Sequence, residues 1–424
     1  MSKSRKGSKE KKQSEINIGM IGHVDHGKST LVEAFSGVFP DFHSEEIRRG
    51  ISIRLGYADC EFRKCPNCEP PEAYTTEKKC PKCGSKSELL RRISFVDAPG
   101  HEVLMATMLS GAAIMDAVLL VVAANENCPM PQTREHFAAM KVSGMNNILI
   151  CQNKIELVDE NNALENFKDI KAFLGTYSEE VAETTPIIPI SAIHKANLDV
   201  LIQTIEEKFP TPEKDPEIDA RLLVARSFDI NKPGSAPEDF RGGVIGGAVT
   251  QGVFKIGDEI EIRPGIKISG NWEPLLSEVS SLRSGFGAIE MAYPGGLTGI
   301  GTHLDPALTK NDQLVGHVAG KPGTLPPVWD TLNLQPILME RVVGVDDYKE
   351  VKQINVKEHL MLNVGTAKTV GAVTGKAKKK SVSVKLKIPV VAEIGERLAI
   401  SMMIDRRWRL VGHGIITGGE PLLE

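Results

Sequence analysis

An apolar run, Ile16–Ile21, leads straight into Gly22-His23-Val24-Asp25-His26-Gly27-Lys28-Ser29, and a helical pattern resumes at Leu31–Phe35. A strand that turns through glycines into a helix leaves little freedom in what can be built around it. The glycines let backbone N–H groups approach phosphate oxygens closely, Lys28 adds a cation for β and γ phosphates, and the Ser29 hydroxyl can ligate Mg²⁺. The N-terminus of the following helix adds a favourable dipole. Such a loop belongs at the carboxyl edge of an open, mostly parallel sheet.

The rest of residues 16–209 fits that sheet. Ile93–Val96, Ala117–Ala123, Asn147–Cys151 and Pro186–Ile190 read as strands, and Glu102–Met115, Gln132–Val142, Ala163–Phe173 and Leu198–Lys208 as helices. Alternation of this kind predicts an α/β domain with helices on both faces. Three prolines in the seven residues 210–216 make a stiff linker. Beyond it the texture turns to short β-rich runs with Gly and Asn turns, such as Leu222–Ser227, Gly243–Val249 and Glu259–Ile262. A second proline-rich connector, Lys321–Pro327, precedes another β-rich stretch with the alternating strand Ser381–Ile388. The chain of 424 residues thus divides as a basic disordered tail over 1–15, an α/β P-loop domain over 16–209, and two β-barrel domains over 210–327 and 328–424.

Three more pieces fall at predicted strand ends. Asp97-Ala98-Pro99-Gly100-His101 offers an acid for a Mg²⁺ shell and a glycine amide for a γ-phosphate. Asn153-Lys154-Ile155-Glu156 pairs an amide with a carboxylate. A carboxylate there accepts from guanine's ring N–H and exocyclic amine, a donor pair adenine lacks, so the chemistry favours GTP over ATP. Ser191-Ala192-Ile193 is the last piece. Each alone can also be read as a turn; four in this order point to a nucleotide site.

Cys65-Pro66-Asn67-Cys68 and Cys80-Pro81-Lys82-Cys83 stand 11 residues apart. Each Cys-x-x-Cys turn aims two thiolates at one point, and two such turns complete a tetrahedral Cys₄ zinc site with no open position, a structural rather than catalytic centre. This knuckle, over about residues 60–90, is inserted between Tyr57–Phe62 and Ile93–Val96, expected to be neighbouring strands. Cys60, Cys128 and Cys151 read as small apolar residues. The chain carries seven cysteines, few for its length, and Met1–Lys12 has no apolar stretch, so a reducing, cytoplasmic setting is expected rather than secretion. No apolar run approaches the roughly 18 residues of a membrane helix.

Net charge is −4, so any contact with a polyanion must use local patches. The basic tail reads as a solubilising extension, or alternatively as an arm that touches RNA. Lys376, Lys378, Lys379 and Lys380 form a cluster that is either a solvated turn or a contact surface. Arg406, Arg407 and Arg409 bracket Trp408, a combination suited to phosphate and base contact or to anchoring a barrel.

Taken together these motifs resemble the translational GTPases, and Gly243–Gly265 resembles the second domain of elongation factor Tu. Arg49–Ala58, Ser227–Gly234, Tyr293-Pro294-Gly295-Gly296-Leu297 and Arg407–Leu410 resemble, more narrowly, the gamma subunits of archaeal and eukaryotic translation initiation factor 2, with the intact zinc motif pointing to the archaeal ones. The resemblance implies that Asp25, His26, Gly27, Lys28, Ser29 and Thr30 wrap the phosphates, and that Ser29 and Ser52 ligate the main Mg²⁺. It implies that Asp25 and the Gly50 carbonyl sit near a second Mg²⁺. Gly100 would meet the γ-phosphate, and Asn153, Lys154, Ile155 and Glu156 would hold guanine, backed by Ser191, Ala192 and Ile193. Lys28 and His101 would serve hydrolysis, His101 by placing the attacking water. Two residues depart from the pattern: Ser52 stands where Thr is usual, keeping the hydroxyl and losing a methyl contact, and Glu156 is one methylene longer than the usual Asp.

By the same resemblance the protein binds methionyl initiator tRNA, its aminoacyl end in a cleft between the first two domains, and delivers it to the small ribosomal subunit. It would do so as a heterotrimer with alpha and beta subunits, with GTP, Mg²⁺ and Zn²⁺ as cofactors and no membrane partner. Two other readings compete: an elongation-type carrier like the selenocysteine-specific factor, which generally continues into a further domain after the third, and the GTPase subunit of a sulfate-activating enzyme, which the knuckle and the Tyr-Pro-Gly-Gly-Leu stretch argue against.

Overall fold

The computed structural model describes residues 12–40, 54–101, 104–213, 215–232, 234, 240–343, 349–376 and 381–423. The first domain is built on β1 (Ile16–Gly22), α1 (Lys28–Ser36), β2 (Gly56–Lys64), β3 (Tyr74–Thr75), β4 (Glu88–Asp97), α2 (Met105–Ala112), β5 (Ala117–Ala123), α3 (Pro131–Val142), β6 (Ile148–Asn153), α4 (Glu160–Gly175), α5 (Glu179–Thr184), β7 (Ile187–Pro189) and α6 (Leu198–Lys208). Its seven-stranded sheet runs β3-β2-β4-β1-β5-β6-β7. From β4 to β7 the pairing is parallel; β2 and β3 join antiparallel.

The strand period of two divides the apolar residues between two cores. Ile16, Ile18 and Met20 of β1 and Leu119 and Val121 of β5 face α1 and α6. Ile21, Val118, Leu120 and Val122 face α2, α3 and α4. Burial on both faces explains the nearly continuous apolar reading of these strands. Phe35 of α1 stacks on Phe95 of β4 at 5.3 Å between ring centres and tilts against Phe62 of β2 at 5.5 Å, which seats α1 on the sheet. Asp159 caps α4 by accepting from the Asn162 amide at 2.9 Å, and Pro131 opens α3, where its missing N–H costs nothing.

Residues 221–320 form an antiparallel eight-stranded sheet curled around Leu222, Val224, Ile245, Ile262 and Ile300, with a small two-stranded pair beside it. The last domain is a closed six-stranded barrel that begins with Val328–Leu338 and ends with Arg407–Leu423. Both connectors are fastened by buried arginines. Arg91 donates to the Phe209 carbonyl at 2.7 Å and pairs with Glu206 at 2.9 Å. Arg263, paired with Glu261 at 2.7 Å, donates to the Leu325 and Pro326 carbonyls.

The tail assignment over 1–15 does not hold for its last residues. Gln13 and Ser14 are buried. Gln13 donates to the Tyr293 carbonyl at 2.6 Å and accepts from the Tyr293 amide at 2.9 Å, while the Ser14 carbonyl accepts from Gly296 N at 2.7 Å. Asn17 on β1 donates to the Gly295 carbonyl at 2.9 Å. The Tyr-Pro-Gly-Gly-Leu stretch is therefore a clamp between the first and second domains. Its glycines are there for close approach: a Cβ on Gly296 would lie 2.3 Å from Ser14 Cβ. Residues 1–11 and Lys378, Lys379 and Lys380 lie outside the described residues.

The third domain meets the first through Arg409, which pairs with Glu135 of α3 at 2.5 Å, and through Asn363, which donates to the Ala106 carbonyl at 2.9 Å. Arg409 and Glu135 side chains are only 11% and 7% exposed. Of the arginines bracketing Trp408, Arg409 thus serves an internal joint and is withdrawn from nucleic-acid contact. Gly296→Val should lower stability by about 1–3 kcal/mol, the usual cost of overpacking, through separation of Ser14 from the second domain. A urea midpoint unchanged from wild type would show that the clamp carries no load.

Candidate functional site

Four loops meet at the carboxyl edge of the sheet. After β1 the chain takes positive φ at Gly22 (139°), Asp25 (63°) and Gly27 (89°). This alternation turns amides inward into an anion-binding concavity and delivers the chain to α1, whose N-cap is Gly27. Lys28 is buried at 7% exposure, its Nζ 2.6 Å from the His23 carbonyl. Asp25 is exposed, and Ser29 and Thr30 are half-buried on the first turn of α1.

The second loop leaves β4 directly beside this one. Ser29 donates to Asp97 Oδ2 at 2.6 Å, and Asp97 is fully buried. A Cβ on Gly100 would fall 2.7 Å from Lys28 Nζ and 3.0 Å from both the Gly22 carbonyl and the Val24 amide, so only glycine lets the two loops approach. His101 follows on the same rim, half-buried. Residues 102 and 103 are not described.

Asn153, at the end of β6, ties the remaining pieces together. Its Nδ2 donates to the His26 carbonyl at 2.9 Å, and its Oδ1 accepts from the Ala192 amide at 3.0 Å. Ser191 is buried and accepts from His194 N at 3.3 Å; Ile193 stands 69% exposed beyond it. Lys154 takes φ 63° and leads into the short turn Ile155–Leu157, which presents Glu156 at the surface. Glu156, Lys154, Ile193 and Asp25 form an accessible rim around a buried frame.

Three imidazoles surround the phosphate loop. His26 is fully buried; its Nδ1 donates to the Val121 carbonyl at 3.0 Å, so only its backbone is left to meet a phosphate. His136 of α3, which sequence patterning does not single out, accepts from the Gly22 amide on Nδ1 at 2.9 Å. Burial pushes His136 down to about 3, with the Lys28 charge adding to the effect. It lowers His26 too, against the hydrogen bond to Val121, and it lowers the partly buried His23. Burial thus favours the uncharged ring at all three positions, and on His26 it does so against Glu126, whose Oε2 lies 3.3 Å from Nε2. Nothing in helical periodicity marks His136, because α3 is buried nearly all round.

The cysteine turns converge as their spacing predicts. Cys65 and Cys83 sulfurs lie 3.4 Å apart, those of Cys68 and Cys80 lie 3.7 Å apart, and all four fall within 4.8 Å of one another. Four sulfurs about 2.3 Å from a central ion would sit at such separations, so the donor set fits a tetrahedral metal. Hydrogen bonds from Ser85 hold the Cys83 thiol down to about 6. The knuckle projects between β2 and β4, which pair antiparallel, and packs beside α6 through β3. Of the expected site residues, Gly50 and Ser52 lie outside the described residues.

Residues 13–211 match the elongation factor Tu GTP-binding domain, and residues 330–416 match the C-terminal domain of initiation factor eIF2 gamma. Translation initiation factor 2 subunit gamma of Pyrococcus abyssi is 57% identical over 410 residues, 96% of this chain and 98% of that protein. The Methanocaldococcus jannaschii subunit is 56% identical over 415 residues, 97% of this chain and 99% of its own length. Among solved structures, a bacterial selenocysteine-specific elongation factor superposes with a TM-score of 0.72 at 22% identity, covering 95% of this chain, which spans 58% of that one. The SelB elongation factor of Methanococcus maripaludis with a GTP analogue gives 0.70 at 21%, covering 96% of this chain and 80% of that one. These two likenesses extend to the fold.

Asn153→Ala removes both ties and leaves a buried carbonyl and amide unpaired. Guanine nucleotide affinity should fall about tenfold or more, since each such loss costs about 1–3 kcal/mol. Titration with a fluorescent GDP analogue measures it; an unchanged affinity in a folded variant would mean that Asn153 does not hold the site together.

Proposed function

This chain belongs to the family of translation initiation factor 2 gamma subunits, and from that membership we propose that it carries methionyl initiator tRNA to the small ribosomal subunit in a cycle timed by GTP. It is a GTP-binding translation initiation factor subunit and a GTPase, with GTP, GDP and Mg²⁺ as the ligands its first domain implies. The observation that supports the residue assignments is the meeting of four loops through three side-chain hydrogen bonds, Asn153 with His26 and with Ala192, and Ser29 with Asp97.

In this reading the amides of Asp25 to Thr30 hold the phosphates, and Lys28 Nζ faces the β/γ oxygens. Ser29 and Ser52 would hold the main Mg²⁺ with Asp97 behind Ser29, and Asp25 and the Gly50 carbonyl would border a second one. Gly100, which packs closely beside Lys28, would meet the γ-phosphate through its amide. Asn153 orients the guanine pocket, and Lys154, Ile155 and Glu156 line it with Ser191, Ala192 and Ile193. Mg²⁺, when bound, neutralises charge that builds on the phosphate oxygens. His101 orients a water in line with the γ-phosphorus, and Lys28 steadies the leaving oxygen of GDP. Glu156 reaches the base from the surface turn, where the extra methylene needs only a small backbone adjustment.

The four thiolates would hold Zn²⁺ as a closed, structural centre that braces the knuckle for a partner contact near the Arg49–Ala58 stretch. Purified protein should carry one zinc per chain by elemental analysis, and Cys65→Ser should lose it and destabilise the knuckle. A metal-free wild type that is fully stable would refute the assignment.

Alpha and beta subunits complete a cytoplasmic heterotrimer. Filter binding of charged tRNAs to the co-purified complex tests the main reading: initiator Met-tRNA should be retained with GTP and released with GDP. Equal retention with both nucleotides, or none with either, would overturn it.

A further inference from the structure

We propose that His136 is a positioning residue of the nucleotide site, fixing the first residue of the phosphate loop, and that the Glu135–Arg409 pair ties this function to the third domain. The inference rests on the reading of Gly22–Ser29 as the GTP loop.

Gly22 is where β1 ends and the loop begins. Its φ of 139° and the Val121 carbonyl, 2.3 Å from where a Cβ would stand, admit only glycine. Its carbonyl faces Gly100 and its amide donates to His136 Nδ1 at 2.9 Å. Gly22 is thus held by three elements, β5, the β4 exit and α3, and only the last hold is made by a side chain. Because the Gly22 amide is a donor, Nδ1 must carry a lone pair and the ring proton sits on Nε2. Nε2 is buried and has no partner among the described residues. For packing alone an apolar side chain would fill the space without a buried polar atom to satisfy. The ring earns its place through Nδ1.

The neighbouring residue anchors the helix. Glu135 is buried, and Arg409 of the barrel reaches it at 2.5 Å. Asn363 of the same barrel grips α2 through the Ala106 carbonyl and Ser110 Oγ at 2.9 and 3.0 Å. Consecutive residues of α3 therefore look in two directions, Glu135 to the third domain and His136 to the phosphate loop. A shift of the barrel against α3 reaches Gly22 through a single helical turn. In the other direction, rearrangement of the loop around a phosphate is felt at the joint with the barrel. Such coupling needs one rigid element that both sites touch, and α3 is that element.

The test compares His136→Leu, which keeps bulk and removes the acceptor, with His136→Asn, whose Oδ1 stands the same number of bonds from Cβ as Nδ1. Release of fluescent-labelled GDP and GTP is followed by stopped flow on the full chain, beside urea unfolding of each variant. His136→Leu should release nucleotide about tenfold faster, equivalent to about 1.4 kcal/mol, and His136→Asn should stay within about threefold of wild type. A merely structural histidine would lower the unfolding midpoint in both variants with no rescue of release by Asn; that result, or unchanged release in His136→Leu, overturns the proposal. If His136→Leu does not fold, Arg409→Met decides: faster release supports the tie to the third domain, and wild-type release removes it. A wild-type protein that binds no guanine nucleotide would instead sink the reading of the loop itself.

Discussion

The amide of Asn153 is the joint on which the nucleotide end of the sheet depends. One planar group offers a donor and an acceptor in opposite directions, and both are used, toward the His26 carbonyl and the Ala192 amide. A carboxylate could accept but not donate, and a hydroxyl could not span the gap. The hold is close enough to dictate a neighbour: a Cβ on Gly27 would lie 2.4 Å from Asn153 Nδ2. Gly27 therefore answers two demands, a left-handed turn into α1 and contact with Asn153. The Gly22–Ser29 loop and the Ile155–Leu157 turn are spaced by this side chain, so their separation is a property of the fold.

The domains also approach closely where a side chain is absent, beside apolar contacts that bring Ala225, Ala248, Ala399 and Leu410 into the core of the first domain. Gly296 presses on Ser14, Gly285 on Asp59 and Gly316 on Ala367. Asp312 adds a charged version of the joint. It takes φ 61°, unusual for a residue with a side chain, and is held by Arg226 at 2.9 Å and the Ser227 amide at 3.0 Å. Arg54 meets the same carboxylate at 3.2 Å from the first domain. Joints of this type are narrow and directional, and they add geometric definition to the apolar contacts between the domains.

Much of this was legible in the chain. Strand and helix cores of the first domain follow from the two hydrophobic periods, with Ala117–Ala123 and Leu198–Lys208 matching to the residue. The cysteine spacing foretold a convergent sulfur cluster, and the pairing of β2 with β4 around it followed from the insertion. Helix α5 carries no apolar period and is set by the cap at Ser178, which accepts from Val181 N at 3.1 Å, so periodicity passes over it. The burial of Gln13 and Ser14, the ion pair of Arg409 and the role of His136 were illegible for one shared reason. Each has a partner more than a hundred residues away in the chain, with Asp59 nearer for the Ser14 hydroxyl, and a polar residue with a distant partner looks, in sequence, like one facing water.

The imidazoles beside the loop show why such polar residues are kept inside. Each ring nitrogen is a donor or an acceptor according to where the proton sits, and the partner decides. The Val121 carbonyl makes His26 Nδ1 a donor; the Gly22 amide makes His136 Nδ1 an acceptor. Burial disfavours the third possibility, the cation, in both rings, on His26 against the Glu126 carboxylate 3.3 Å from Nε2. The result is a pair of rigid, uncharged struts of opposite polarity. They brace β1 and the loop from two sides without adding positive charge that would compete with Lys28 for an anion or vary with pH. An asparagine could imitate either bond alone, and the flat ring adds the apolar bulk that keeps water away from both.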